Sequence, residues 1–418
     1  MPNNNIVTSL KNTIKYPLKL GYNLMMDIRS AYYLCKVRNK RPSGKIKVGF
    51  IVQMSEIWDK EVGIYEDMLS REEFEPIIIV VPPYNMSTKK YSLSYKNNYF
   101  IKNYPNAVKA ISKDGTVIDI ASMDLDYVFY QRPYDHYLVP KLRSSELVKY
   151  TRCCYVPYGY SGSDIFNDLC THRSFMRNMS YAFFESQYIS DITNNKLKNT
   201  LPHRFQDITF MGYPVLESFF GLANDKDTDT KVKNVLWTPR WSYDKKTGGS
   251  HFIEYKDLFL ELAGQYPDVE FVFRPHPLMF EELEREGLFS SDEKNRYLSQ
   301  LNECGAKFDT DSLFIDAAEK ADVLITDYSS ILINFFVSGK PIIYCDSMIE
   351  FNSDFKKMDP GIYHTASAGQ IKECIGKLYN GCDTLKEKRH RIREEMFKAH
   401  KDSSARIADL LESSVKKQ

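Results

Sequence analysis

The chain has 418 residues, enough for two or three domains with real cores, which excludes a single small binding module. With 56 Lys+Arg against 55 Asp+Glu the formal net charge is +1, which argues against a surface built to coat nucleic acid. Eight cysteines (Cys35, Cys153, Cys154, Cys170, Cys304, Cys345, Cys374 and Cys382) show neither Cys-x-x-Cys spacing nor a zinc-type partnership with histidine, so they read as reduced, buried thiols. No apolar leader opens the chain and no run of about 18 apolar residues could cross a bilayer, so the active site is expected in the cytoplasm.

In chain order, residues 1–44 come first as a basic amphipathic segment. Ile6, Leu10, Ile14, Leu18, Leu24, Met25, Ile28 and Tyr32 fall at roughly helical spacing, interrupted by Pro17 and Gly21. Through Lys45 there are nine basic residues and one acid, Asp27, so this stretch carries +8 and the remainder about −7. Either a solvated helix packed on its own protein or a helix lying on an anionic membrane surface fits that pattern. Arg41 to Gly44 reads as a linker.

From residue 45 short apolar runs alternate with helical stretches. Strands are predicted at Ile46 to Val52, Pro76 to Val81, Tyr127 to Tyr130, Cys153 to Val156, Tyr181 to Phe184 and Ile208 to Met211, the rhythm of a mostly parallel, doubly wound sheet. This first domain is expected over 45–220 and a polar linker over 221–233. A second α/β domain follows over 234–385, with strands at Asn234 to Trp237, Glu270 to Phe273, Val323 to Thr326 and Pro341 to Tyr344. Helices are predicted near Tyr255 to Tyr266 and Phe280 to Glu286, and charged C-terminal helices over 386–418 are expected to pack across the domain junction. Two such domains in succession place a ligand cleft between them.

Two motifs carry chemistry. Thr326-Asp-Tyr-Ser-Ser330 ends an apolar strand and starts a helix, which offers the hydroxyls and free N–H groups of Ser329 and Ser330 to phosphate oxygens; alternatively Asp327 and Ser329 cap that helix. Phe271-Val-Phe-Arg-Pro-His-Pro277 delivers Arg274 and His276 to the same sheet edge, where arginine forks onto a pyrophosphate and histidine donates a hydrogen bond or proton to the leaving phosphate. Tyr155, Tyr158 and Tyr160, around Pro157 and Gly159, read either as a polyol-facing platform or as core and rim. Gly248 to His251 reads as a mobile loop, and no acidic pair stands at Asp-x-Asp spacing on a strand end, so no metal is required.

Arg-x-His-Pro followed some 50 residues later by Thr-Asp-Tyr-Ser-Ser resembles the CDP-glycerol glycerophosphotransferases, the teichoic-acid primases and polymerases and related capsule enzymes. Thr209 to Pro214, Leu236 to Trp241 and Lys401 to Arg406 support the resemblance, which runs from about Tyr155 to Leu411. It implies an α/β protein of the GT-B type, two Rossmann-like domains with a CDP-linked donor held by the second. Arg240, Arg274, His276, Asp327, Ser329 and Ser330 would meet the donor phosphates, assisted by Ser403, Ser404 and Arg406. Glycerol phosphate or another polyol phosphate would pass to a lipid-linked or polymer acceptor on the inner face of a bacterial plasma membrane. The family's His-Gly-Thr-Pro element is replaced here by Tyr155-Val-Pro-Tyr-Gly159, so the general base falls to Asp135, His136 or Asp164, and the carboxylate often found after the serine pair is Asn334. Two other readings stay open: a glycosyltransferase of the same fold using a nucleotide sugar, and a non-catalytic scaffold.

Overall fold

The computed structural model describes residues 4–85, 88–167, 172–222, 231–247, 249–310 and 313–416, with the side chains of 4–18 and of 245 outside that set. Cys170, Gly248, the early apolar positions Ile6 to Leu18 and residues 223–230 of the expected linker therefore lie outside what is described. The chain divides into two compact units, one of residues 1–158, 167–211 and 404–418 and the other of 159–166 and 212–403.

The first unit is built on a parallel sheet of seven strands: β1 (Ile46–Val52), β2 (Phe74–Val80), β5 (Val108–Lys109), β6 (Tyr127–Tyr130), β7 (Arg152–Tyr155), β8 (Met179–Phe184) and β9 (Asp207–Phe210). Their order is β5-β2-β1-β6-β7-β8-β9, and β3 (Tyr84–Asn85) pairs with β4 (Lys90–Tyr91) as a separate hairpin. The central strands β6, β7 and β8 are buried at every residue, which is why they are mostly apolar rather than alternating, with Arg152 and Ser180 the polar exceptions. Aromatic residues line one face, with Phe50 stacked on Phe129 at 4.9 Å and Phe129 on Phe183 at 6.5 Å.

The second unit carries six parallel strands in the order β12-β11-β10-β13-β14-β15. They are β10 (Asn234–Thr238), β11 (Glu270–Phe273), β12 (Lys307–Phe308), β13 (Val323–Thr326), β14 (Ile342–Cys345) and β15 (Tyr363–Thr365). Trp237, Phe252, Phe259 and Phe273 form the centre of its core.

Several expectations are corrected. The N-terminal helix Asn4–Arg38 continues through Pro17 and Gly21. Its later half is held on the first unit by buried Leu34 and Val37, by Ser30 Oγ donating to Asn178 at 2.8 Å, and by buried Asp27 paired with Arg173 and Arg177. The stretch after it is tied down rather than loose, with Arg41 donating to the Val415 carbonyl at 2.6 Å and Ser43 to Asp124 at 3.1 Å. Among the described cysteines, all free, Cys35 and Cys382 are exposed rather than buried. Helix Pro214–Phe220 groups with the second unit because Phe219 stacks on Phe314 at 5.8 Å and Phe220 meets Phe397 at 5.2 Å. Of the C-terminal helices, Lys386–His400 lies in the second unit, while all but the first residue of Ser403–Lys416 lies in the first.

Candidate functional site

The site residues of the second unit gather because the register brings neighbouring strands out level at their C-terminal ends. Trp237 pairs with Phe273 and Thr238 with Thr326, so the segments after β10, β11 and β13 emerge side by side. Thr238 Oγ1 donates to Thr326 Oγ1 at 2.8 Å beneath them, His276 N donates to the Pro239 carbonyl at 3.3 Å, and Arg274 N donates to that of Trp237 at 2.9 Å.

Asp327, wholly buried, is the hub. One carboxylate oxygen accepts from the backbone N–H of Arg240 at 2.8 Å and of His251 at 3.3 Å; the other receives His251 Nδ1 at 2.7 Å. The alternative in which Asp327 and Ser329 cap helix Ile331–Phe336 does not hold, since Asp327 bonds Arg240 and His251, Ser329 Oγ has no partner among the described residues, and the N-cap residue Ser330 makes no side-chain capping bond. That helix has only six residues, so its dipole adds less positive potential than the motif suggested.

Arg240 donates from Nη1 to the Tyr328 carbonyl at 2.6 Å, and its guanidinium lies over Phe166 and Tyr328 at 5.6 and 5.4 Å. Burial lowers its pKa, the nearby tyrosines and Asp327 opposing, and its Nε finds no hydrogen-bond partner among the described residues. Ser329 Oγ is likewise enclosed without a partner among the described residues. Buried polar atoms left this way in a native fold call for a ligand or water. Arg274 forms an ion pair with Asp309 at 2.6 Å, so a phosphate would share that guanidinium.

The two histidines are opposite in character. For His251 burial works against the charged form, but the Asp327 hydrogen bond and charge outweigh it and the pKa is raised. For His276, whose ring keeps an exposed face, partial desolvation and then the Arg240 charge bring the pKa down to about 4. Its Nδ1 accepts from Leu278 N at 3.2 Å, so the neutral ring carries its proton on Nε2. His251 is the residue that motif reading missed: the loop expected to be mobile is fixed by Asp327, 76 positions away, and by Ser250 N donating to the Ser242 carbonyl at 2.7 Å. Only the glycines and histidine of that loop hinted at function.

His251, Asp327 and Cys345 place three metal-capable atoms within 4.8 Å of one another, since Thr326 pairs with Tyr344 and Cys345 comes next along β14. Within this trio Asp327 accepts from the backbone N–H groups of Arg240 and His251 and pairs with the His251 ring, and burial pushes the Cys345 thiol far above its ordinary range.

The residues expected on the acceptor side part company. Gly159, Tyr160 and Asp164 belong to the second unit, because Asn352 bonds the carbonyls of Ser161 and Gly162 at 2.8 Å each and Phe166 stacks on Tyr328 at 5.7 Å. A Cβ on Gly159 would stand 3.5 Å from Ser330 Oγ, and one on Gly162 would strike the Phe355 ring at 2.4 Å. Tyr160 is buried against Tyr213 and Phe355, and Asp164 is exposed. In the first unit Tyr155 is core, whereas Tyr158 is partly exposed and shares a 2.8 Å hydroxyl contact with Tyr134. Asp135 accepts from Ser144 N at 2.5 Å; His136 is exposed, its ring 3.9 Å from that of Tyr137. Ser403 is buried and donates to Glu217 at 2.8 Å in the second unit; Ser404 and Arg406 fall in the first. Asn334 is enclosed, with Oδ1 lacking a partner among the described residues.

A model of the CDP-Glycerol:Poly(glycerophosphate) glycerophosphotransferase family matches residues 176–413, more than half of the chain. The chain belongs to this family. Among solved structures this glycerophosphotransferase family member is similar to the wall teichoic acid polymerase TagF soaked with CDPG, at TM-score 0.56 and 16% identity over 99% of this chain and 98% of that one. It is also similar to a putative UDP-N-acetylglucosamine 2-epimerase from Listeria monocytogenes (TM-score 0.54, 12% identity, 90% and 98% covered). The UDP-GlcNAc 2-epimerase from Neisseria meningitidis bound to UDP-GlcNAc follows (TM-score 0.53, 12% identity, 89% and 100% covered). No curated protein matches in sequence. At these identities the likeness speaks to architecture, and the architecture is the GT-B type, α/β with two parallel sheets.

Proposed function

We propose that this family member transfers a polyol phosphate, glycerol phosphate foremost, from a CDP-linked donor to an acceptor hydroxyl in building a teichoic-acid-like or capsular surface polymer. The observation that carries the reading is the Asp327 hub, which sets Arg240 and His251 at one sheet edge with His276 and with the Ser329 hydroxyl, without a partner among the described residues. In the reaction the acceptor oxygen bonds to the phosphorus of the transferred group, the bond from that phosphorus to the CMP oxygen breaks, and CMP leaves with the electron pair. Such a displacement needs positioning and charge neutralisation more than covalent help. His251, its Nδ1–H held by Asp327 and its imidazolium form favoured by that carboxylate, offers Nε2 to the phosphates; His276 supplies a neutral Nε2–H; Arg240 and Ser329 complete the donors. Asp135 or His136 in the first unit, or Asp164 in the second, takes the acceptor's proton. Ser330 and Arg274 contact the donor phosphates, and Ser403, Ser404 and Arg406 assist.

The protein works on the inner face of the plasma membrane, with helix Asn4–Arg38 lying in the interface. Support comes from its exposed Leu20, Leu24, Met25, Ile28 and Tyr32, and from the absence, among the described residues, of any helix long and apolar enough to cross a bilayer. A nucleotide-sugar transferase is the second reading, favoured by the missing histidine at Tyr155 to Gly159.

The test is turnover of CDP-glycerol with a lipid-linked acceptor. His276→Ala and Ser329→Ala should each lower it by about 10²-fold or more while circular dichroism stays native. Near-normal turnover in folded His276→Ala protein removes that histidine from the mechanism.

A further inference from the structure

Helix Asn4–Arg38 has two faces. Asp27, Ser30, Leu34 and Val37 are buried against the first unit, whereas Leu20, Leu24, Ile28 and Tyr32, four residues apart along one ridge, are 61, 55, 53 and 66% exposed. The next position on the ridge is Lys36, one turn beyond Tyr32. Lys36 lines a cavity of about 230 Å³ with Lys40, Lys149, Asp124, Tyr150 and Thr151. Asp124 and Thr151 come shortly before β6 and β7, so in this parallel sheet the cavity sits at the N-terminal edge, opposite the C-terminal edge that carries Asp135 and Tyr158.

The cavity wall is already built. Arg152, itself buried, donates to the carbonyls of Arg38 and Lys40 and so fixes the turn that follows the helix. Lys40 pairs with Asp124 at 2.8 Å and donates to the Leu125 carbonyl at 2.7 Å, and Lys149 pairs with Glu146 at 2.6 Å. Two donors remain. Lys36 meets no carboxylate within ion-pair distance among the described residues. Thr151, only 1% exposed, has an Oγ1 without a hydrogen-bond partner among the described residues. One ammonium and one buried hydroxyl in a preformed cavity, at the end of an exposed apolar ridge, match an amphiphile with an anionic oxygen-rich head.

We propose that this cavity receives the phosphate head group of an anionic phospholipid whose acyl chains enter the membrane beside the Leu20 to Tyr32 ridge. The lipid sets the depth and rotation of the helix in the interface, and the site is separate from the donor-phosphate site of the second unit. The inference rests on the interfacial placement of the helix stated above, and its test separates the two.

Full-length protein is titrated with vesicles of phosphatidylcholine with and without phosphatidylglycerol, and with dihexanoyl phosphatidylglycerol below its micelle concentration, followed by amide chemical shifts. Lys36→Gln combined with Thr151→Val should weaken binding to phosphatidylglycerol vesicles about tenfold and abolish the shifts caused by the short-chain lipid. Leu24→Ser with Ile28→Ser should weaken binding to every vesicle. If that ridge variant binds vesicles like the wild type, the interfacial placement falls and this proposal with it. If the ridge variant loses binding while the Lys36/Thr151 variant keeps wild-type affinity, the helix lies in the interface and the head-group site is overturned. Inorganic phosphate that shifts the same amides as strongly as the short-chain lipid overturns the lipid source in favour of free phosphate.

Discussion

His251 and His276 follow different rules within one site, and the difference is chemical environment rather than residue type. Asp327 holds His251 Nδ1 at 2.7 Å and raises its pKa, while partial burial and the Arg240 charge lower that of His276 to about 4. Stability therefore depends on pH in opposite senses. The raised His251 contributes stability that is full below the unfolded value of about 6.5 and is lost as pH rises through its folded pKa. The depressed His276 contributes none above 6.5 and destabilises as pH falls toward its folded value, because the unfolded chain binds the proton more readily. Ring-proton NMR titration of the free protein should give midpoints above 6.5 for His251 and well below it for His276, and Asp327→Asn should pull the first down. Addition of CDP should raise the His276 midpoint, since a bound diphosphate favours imidazolium. Coincident midpoints near 6.5 would refute the division of roles.

At the scale of elements, the first turn of helix Asp59–Leu69 pushes an ion pair into the core of the first unit. Lys60 and Glu61 have no exposed side-chain surface and stand 3.1 Å apart. Lys60 Nζ donates to the carbonyls of Tyr130, the last residue of β6, and Val156, the residue after β7, from 5.2 Å above the Tyr155 ring. Burial pulls the lysine pKa down and pushes the glutamate up, and their pairing opposes both shifts. Lys60→Met strands a buried carboxylate and should cost about 3–5 kcal/mol in denaturant unfolding, whereas Lys60→Met with Glu61→Leu should recover most of it. A single variant within about 1 kcal/mol of wild type would show the pair to be dispensable. None of this was legible in the sequence, because a Lys-Glu pair at a helix start ordinarily faces solvent and its partners here are backbone carbonyls 70 and 96 residues away. What was legible was the sheet: β1, β6, β11 and β13 begin and end where the sequence placed them, because each is a mostly apolar run bounded by more polar chain. Strands β5, β12 and β15 escaped notice because they have two or three residues each, some exposed, as at Lys307 and Phe308. Ser329 and His276 were legible as motifs beside strand ends; the tie from Asp327 to His251 was not, since nothing local in a sequence records a contact 76 residues long.

At the scale of the molecule, shape alone leaves the base of the nucleotide open. The same chain is similar in fold to a polymerase soaked with CDPG at TM-score 0.56 and to an epimerase bound to UDP-GlcNAc at 0.53, so the fold by itself singles out no base. On the reading proposed above that choice falls to side chains at the strand ends of the second unit, and the family match over residues 176–413 is consistent with cytidine. A ligand that binds only the native state stabilises it by RT ln(1 + [L]/Kd), about 2.7 kcal/mol at a hundredfold excess over Kd. For a unit of roughly 200 residues each kcal/mol moves the melting temperature by about 2–4 °C, so CDP should raise Tm by about 5–10 °C at that excess. UDP and GDP at equal concentration should move it far less, and Ser329→Ala should shrink the CDP effect, because the phosphate would lose the hydroxyl that has no partner within the described chain. A shift specific to UDP would transfer the reading to a nucleotide-sugar enzyme. No shift with any nucleotide, in protein whose unfolding remains cooperative, would leave the Asp327 hub as a structural knot and overturn the donor site itself.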